Sequence, residues 1–336
     1  MTNERSPAQV GVWLGLGIVA LVGTMTLSLM LGAFAISPRE ILDWITRSAS
    51  DAPGAVNDRV LSSIRLPRVL GAALLGAALA SMGTVLQGTY RTQLADAHLI
   101  GYSSAAGVGA AVGFAMTPVG AFPFVPVFLA ALTGALFGVG SATLRARAGR
   151  DRFILAGVAF GFTFLAWTGL FVLIVDSPRV PTLLFFVFGT LSGTTWRILG
   201  VATMVLVPAL AILWRYGPGL DLMSLGDREA TNLGFNTARL VPVIVGLVGV
   251  AVGAAVVLGG VVGFVGLLVP FVLRPLIGPA HRTLIPASAI AGAIAVVVLD
   301  TLARTLAAPA EIPLGLLTAA VGGPLLAWML LRRAAA

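Results

Sequence analysis

The chain has 336 residues, of which 58% are apolar and only 10% charged, with a mean hydropathy of +1.01. Soluble domains carry about 25% charged residues because their surface stays in water, so most of this surface must face lipid. The net charge of +8 would suggest nucleic acid in a soluble protein. Here the basic residues gather in loops on one side of the predicted membrane, and no nucleic-acid partner is expected.

All 21 basic residues are arginine. Without lysine there is no P-loop for ATP and no Schiff-base chemistry. Without cysteine there are no thiolate metal sites, disulfides or thiol nucleophiles. His98 and His281 lie far apart and form no ligand-spaced cluster. The residue set therefore predicts a protein that moves a solute, not an enzyme, with no cofactor of its own.

In chain order, the first apolar run extends from Val10 to about Ala35. Its end, Ala33-Phe34-Ala35, mimics a signal-peptidase site, but a signal core is only about 7–15 residues long, so the run is expected to be a retained first span. Ser37 is placed to cap a short amphipathic helix begun by Pro38. Further spans are predicted at 66–88, 100–116, 122–144, 153–175 and 198–214. Residues 183–191 are too few to cross and read as a re-entrant or interfacial helix. From Leu240 to Leu273 the sequence has no charge. One helix of that length would be about 51 Å long, too long for a hydrocarbon core of about 30 Å, so a break is predicted at Gly259-Gly260. Spans at 284–299 and 312–331 complete a count of ten.

An even count puts both termini on one side. Arg145, Arg147, Arg150 and Arg152, together with Arg332 and Arg333, place that side in the cytoplasm. Arg65, Arg68 and Arg304 then lie at span mouths on the opposite face, against the bias. They are explained either by anchoring and local pairing, Asp300 and Arg304 being spaced i, i+4, or by a function. Glycine pairs such as Gly109/Gly113 and Gly249/Gly253 predict close helix packing in lipid.

Charges inside the spans are few. Asp300 and Glu311 sit near helix ends, Asp96 and Asp151 in loops, and neither an arginine ladder nor a TVGYG-like filter is present. A self-sufficient ion-coupled transporter or channel is the alternative, and it lacks its usual polar machinery. The segment at about 219–236 is different. There Ser224 or Asp227 is placed to cap a short helix, Gly234 to end it, and Leu222, Leu225 and Leu233 to offer apolar contacts. Such a charged amphipathic helix suits docking to a soluble partner.

Ile64-Arg65-Leu66-Pro67-Arg68, Gly76-Ala77-Ala78-Leu79-Ala80, Leu94-Ala95-Asp96, Gly263-Phe264-Val265-Gly266-Leu267, Asp300-Thr301-Leu302-Ala303-Arg304 and Glu311-Ile312-Pro313-Leu314-Gly315 occur in order along nearly the whole chain. This pattern resembles the FecCD-type permeases of ABC importers, which take up iron–siderophores, haem or cobalamin. The resemblance implies an all-α integral membrane protein of type II ABC importer permease fold, with ten transmembrane helices per subunit and a single domain over 1–336. It also implies alternating access in the cytoplasmic (inner) membrane of a prokaryote.

The implied partners are a second permease subunit, as homo- or heterodimer, two ABC ATPase subunits that hold ATP and Mg, and an extracytoplasmic substrate-binding protein. Arg65, Arg68 and Arg304 correspond to arginines that dock the binding protein, whose acidic residues suit bidentate pairing. Leu222, Ser224, Leu225, Gly226, Asp227, Arg228 and Glu229 fall in the ATPase-coupling segment. Thr92, Leu94, Arg150 and Asp151 fall in the cytoplasmic gate. There the sequence departs from the usual R/E-N-P-L-A-D/E-P, reading Arg91-Thr92-Gln93-Leu94-Ala95-Asp96-Ala97.

Overall fold

A computed structural model describes residues 7–32, 36–46, 56–116, 124–146, 150–174 and 180–334. The described residues form helices and their connections, with no strand. In order these are α1 (Pro7–Met30), α2 (Pro38–Thr46), α3 (Val56–Val60) with a π-helical turn (Leu61–Arg65), α4 (Leu66–Tyr90), α5 (Tyr102–Met116), α6 (Phe124–Ala146), α7 (Arg150–Ile174) and α8 (Val180–Val187). There follow α9 (Trp196–Arg215), α10 (Gly217–Leu225), α11 (Asp227–Asn232), α12 (Thr237–Gly259), α13 (Val265–Ile277), α14 (His281–Thr305) and α15 (Leu314–Ala334). The Ala33-Phe34-Ala35 segment lies outside the described residues.

Among the described residues, five helices are long and apolar enough by themselves to cross a membrane: α1, α4 with the turn before it, α9, α12 and α14. Shorter apolar stretches lie in α6, α7, α13 and α15. Among the described residues the helices outnumber the ten expected spans, and α2, α3, α8, α10 and α11 are too short to cross.

The local signals act as their chemistry requires. Ser37 and Glu40 form a reciprocal capping box: Glu40 accepts from the Ser37 backbone N–H at 2.7 Å, and the Glu40 N–H donates to Ser37 Oγ at 3.3 Å. Thr195 accepts from the Ile198 N–H to start α9, and Asn236 accepts from the Arg239 N–H to start α12. The long apolar run breaks at Gly259-Gly260 as predicted, and Gly260 takes φ +70°. Trp196 and Trp214 mark the two ends of α9, about 27 Å apart at 1.5 Å per residue, close to the thickness of a hydrocarbon core. Each indole N–H is held by a backbone carbonyl, that of Ser62 or Arg282.

The core is built around α4, which is buried along nearly its whole length. A helix that is apolar on every side belongs inside a bundle, and α4 packs against α9, α12, α13 and α14. Its contact with α14 is backbone to backbone, since a Cβ on Gly76 would collide with the Gly292 carbonyl and one on Gly292 with that of Gly76. Thr84 Oγ1 donates to Ser288 Oγ at 2.9 Å across the same interface. The predicted Gly109/Gly113 pair seats α6 against α5 at Ala130, Pro126 and Val127, and Gly253 seats α12 against Leu132. In contrast, α1 exposes Val12, Leu16, Val19 and Val22, as a lipid-facing helix does.

Three irregular segments meet inside the bundle. Thr190 N–H donates to Gly259 O, Val261 N–H to Phe186 O, Leu314 N–H to Gly189 O and Gly315 N–H to Phe188 O. These bonds tie the end of α8, the α12–α13 break and the start of α15 together. Backbone groups freed by broken helices at membrane depth must find such partners, because lipid offers none. α8, eight residues long, is too short to cross, in line with a re-entrant reading of that region.

Candidate functional site

α14 has a polar cluster at each end, and the two predicted attachment regions coincide with them. At its C-terminal end Asp300, 1% exposed, accepts from Arg68 Nε at 3.1 Å and from Nη2 at 3.0 Å. Arg68 also reaches Glu311 through Nη1 at 2.8 Å and Nη2 at 3.1 Å. Arg304 Nε stands 3.7 Å from Asp300, while its Nη2 donates to the backbone carbonyl of Ser28 at 2.7 Å. Arg65 donates to the Leu29 carbonyl at 2.7 Å. The cluster thus joins the ends of α1, α4 and α14 to the segment before α15.

The structure brings Arg65, Arg68 and Arg304 together and turns them inward, at 5%, 6% and 8% exposure. The local pairing anticipated for Asp300 and Arg304 is present, and Arg68 completes it from α4. Pro67 lies in the first turn of α4, where the helical backbone continues from the π-helical turn and places Arg65 and Arg68 one turn apart. Sequence reasoning missed Ser28 and the central place of Asp300. The signal for Asp300 was a carboxylate one turn from an arginine in an otherwise apolar span.

At the other end of α14, the predicted single helix of the 219–236 segment is two. α10 and α11 meet at Gly226, which takes φ +130°. Ser224 does not cap as expected: its Oγ donates to the Asp221 carbonyl at 2.6 Å, and the N-cap position of α11 falls on Gly226, with Asp227 the first helical residue. The correction has a simple cause, since α10 begins earlier, with Pro218 in its first turn, and absorbs Ser224 into its last turn. Gly234, at φ +85°, follows the end of α11 as predicted.

Leu225 and Leu233 are 64% and 62% exposed, Glu229 is exposed and Leu222 half-buried. The side chains of Asp227 and Arg228 lie outside what the structure describes. Asp221, also missed in the sequence, accepts from the backbone N–H of His281 at 2.9 Å and pairs with its Nδ1 at 2.6 Å. This pair fastens α10 to the first residue of α14.

Between the two ends runs the 91–101 connection. Arg91 adopts a left-handed conformation, φ 52°, and ends α4. Thr92, half-buried, accepts from the Leu94 N–H at 3.4 Å. Leu94 is half-buried beside it. Asp96, fully enclosed, takes backbone N–H groups from Ala97, His98 and Phe264. Ala97 stands where the expected motif has proline and supplies an N–H that proline lacks. Phe264 holds a left-handed φ of 68° at the start of α13, a costly conformation for an aromatic residue, and Asp96 is one of the groups that holds it there. Arg150 and Asp151 open α7, and their side chains lie outside the described residues.

A cavity of about 350 Å³ opens against this connection, walled by α5, α7, the end of α8, residues 261–264 and α15. Phe162, Phe188, Phe264 and Leu316 make its apolar wall, and His98, Ser104 and Thr168 are its polar members. No charged side chain lines it among the described residues. No group of His, Cys, Asp and Glu among those residues has the arrangement of a metal centre.

The FecCD transport family matches residues 20–332. The hemin transport system permease protein HmuU of Yersinia pestis is 36% identical over 97% of both chains. The vitamin B12 import system permease protein BtuC of Vibrio vulnificus is 34% identical over 94% of this chain and 92% of its own. The Fe(3+) dicitrate transport system permease protein FecD of Escherichia coli is 32% identical over 94% and 96%. A solved inward-facing metal-chelate type ABC transporter superposes with a TM-score of 0.80 at 29% identity, covering 95% of this chain and 98% of that one.

Proposed function

This chain belongs to the FecCD transport family, and from that premise we propose that it is the membrane-spanning permease subunit of an ATP-driven importer. It carries an iron–siderophore, haem or cobalamin across the inner membrane by alternating access. Ten of the helices, α1, α4–α7, α9 and α12–α15, serve as spans, and both termini lie in the cytoplasm. α2, α3, α8, α10 and α11 lie at the surfaces or in the cavity wall. Two such subunits face each other across the cavity, and two ATPase subunits, which bind ATP and Mg, sit below.

The observation that carries this reading is the layout along α14, an apolar cavity set between two separate attachment regions. Leu225 and Leu233, exposed at the α10–α11 corner, suit the cleft of an ATPase subunit. The Asp221–His281 pair passes movement of that corner to α14. Thr92, Leu94, Arg150 and Asp151 border the gate below the cavity.

Docking of the binding protein uses Arg65, Arg68 and Arg304 by exchange. All three already have internal partners, but Glu311 is 35% exposed at its side chain. An acidic residue of the binding protein replaces Glu311 on Arg68 and thereby loosens the segment that leads into α15.

A self-powered carrier fits the geometry less well. A proton-coupled carrier needs an intramembrane carboxylate free to titrate, whereas Asp300, at the end of α14, is matched by two arginines. The deciding experiment is reconstitution in proteoliposomes with the partner ATPase and binding protein. Uptake that requires ATP and all three components is expected. Uptake by this chain alone, driven by an ion gradient, would refute the assignment.

A further inference from the structure

The junction of α9, α10 and α12 carries a groove that the transport reading leaves unused. Two adjoining hollows lie there, one beside Arg215 and the other beside Arg239, and Tyr216 and Phe235 belong to both. The Phe235 ring is held in place against Gly219, where a Cβ would collide with it. Arg215 ends α9 and Arg239 lies in the first turn of α12, and both are exposed. Among the described residues neither guanidinium has an ion pair or a hydrogen-bond partner. No carboxylate lines either hollow among those residues. Arg239 is also placed against the helix macrodipole, which favours anions at an N-terminus, and the first turn of α12 has no acidic residue to offset it. One turn further into each helix the groove becomes apolar, with Ile212 on α9 43% exposed and Val243 on α12 46% exposed. Trp214 marks the end of α9, so these two side chains lie at hydrocarbon depth and the arginines at the interface.

We propose that this groove binds an anionic phospholipid of the cytoplasmic leaflet, with Arg215 and Arg239 on the headgroup phosphate and the acyl chains along Ile212 and Val243. The ligand must join an anionic head to an apolar body, because the groove has a cationic end and an apolar end one turn apart. A soluble anion would satisfy the arginines and leave the apolar wall uncovered, and an uncharged apolar molecule would leave both guanidiniums unmatched. Guanidinium groups pair well with phosphate oxygens, and basic pockets between spans on the cytoplasmic side are where anionic headgroups settle. The site goes beyond the importer reading, on which only the assignment of this end to the cytoplasmic leaflet rests. A phosphate held by both arginines ties the end of α9 to the start of α12, the two helices that flank α10 and α11. Bound lipid thereby braces the corner at which Leu225 and Leu233 are exposed.

The test is native mass spectrometry of the full chain in detergent, titrated separately with phosphatidylglycerol and phosphatidylcholine, and with phosphatidylglycerol in the presence of inorganic phosphate. The wild type is expected to bind phosphatidylglycerol at least fivefold more tightly than phosphatidylcholine, and inorganic phosphate should not displace it. The double variant Arg215→Gln with Arg239→Gln should lose this preference while melting within a degree of wild type, since both positions are exposed. Arg282→Gln is the control and should keep the preference. Arg282 is an exposed arginine at the same level, its carbonyl accepting from the Trp214 indole, but it lies outside the groove. Val243→Asp keeps both arginines, charges the apolar wall, and should weaken phosphatidylglycerol binding at least fivefold. Equal affinity of the wild type for the two lipids, or the same loss in Arg282→Gln as in the double variant, would overturn the site in favour of general surface charge. Displacement by inorganic phosphate, or full binding by Val243→Asp, would assign the arginines to a soluble anion and overturn the lipid. The readout needs no ATPase or binding protein, so absence of ATP-dependent uptake would remove the importer reading and leave the lipid site standing.

Discussion

Asp300→Asn is the substitution whose cost follows most directly from the structure. Among Arg68, Arg304, Asp300 and Glu311 the charges balance two against two, and all but Glu311 are less than 9% exposed. The amide keeps the volume and removes one negative charge. Arg68 then retains only Glu311, which is partly in solvent, and Arg304 loses its carboxylate. Leaving a buried charge unmatched costs about 3–5 kcal/mol.

Unfolding entropy of about 2.1 cal/mol/K per residue gives roughly 0.7 kcal/mol per degree for 336 residues, so the melting temperature should fall by about 4–7 °C. Arg68→Met alone should be similarly harmful because it leaves two carboxylates against one arginine. The pair Arg68→Met with Asp300→Leu returns the cluster to one against one and should recover at least ~2 kcal/mol relative to the sum of its single variants. The assay is thermal unfolding of the detergent-solubilised protein, followed by tryptophan fluorescence at fixed scan rate, with wild type, Asp300→Asn, Arg68→Met, Asp300→Leu and the double variant run side by side. A shift under 1 °C for Asp300→Asn, or strict additivity in the cycle, would refute the claim that this cluster holds α1, α4 and α14 together.

Other consequences are as direct. Gly76→Ala drives a methyl into the Gly292 carbonyl and should cost about 1–3 kcal/mol. Gly246→Ala, with open space at its Cβ, should melt within a degree of wild type and serves as the control. Asp221→Ala frees α10 from His281, and in the reconstituted transporter it should cut uptake at least fivefold while ATP hydrolysis continues; normal coupling would remove that pair from the transmission path. Leu225→Asp places a charge on the exposed apolar corner and should weaken co-purification of the ATPase subunit at least tenfold. Glu311→Gln weakens the hold on Arg68, so binding-protein affinity measured at low salt should rise several-fold. A fall would contradict docking by exchange.

The sequence alone determined the lipid environment and the position of most helices, because both depend on local quantities. Twenty apolar residues need a membrane, Ser37 with Glu40 caps a helix wherever it lies, and Gly259-Gly260 breaks a run too long to fit. It also singled out the regions proposed here for attachment, since arginines at span mouths and a charged helix between spans stand out against 58% apolar composition. The partners of those residues depend on contacts between distant parts of the chain. Arg68 and Asp300 are 232 positions apart, Asp221 and His281 60, and no periodicity links either pair. Asp96 is a loop residue, as read, but its enclosure was not legible, because one of its three N–H partners is Phe264, a residue brought to it only when α4 and α13 pack together. In lipid a buried polar group must be answered by another segment of the same fold. Tertiary structure therefore decided that the three arginines face inward, that α14 carries a pinned cluster at each end, and that His98 lines the cavity between them.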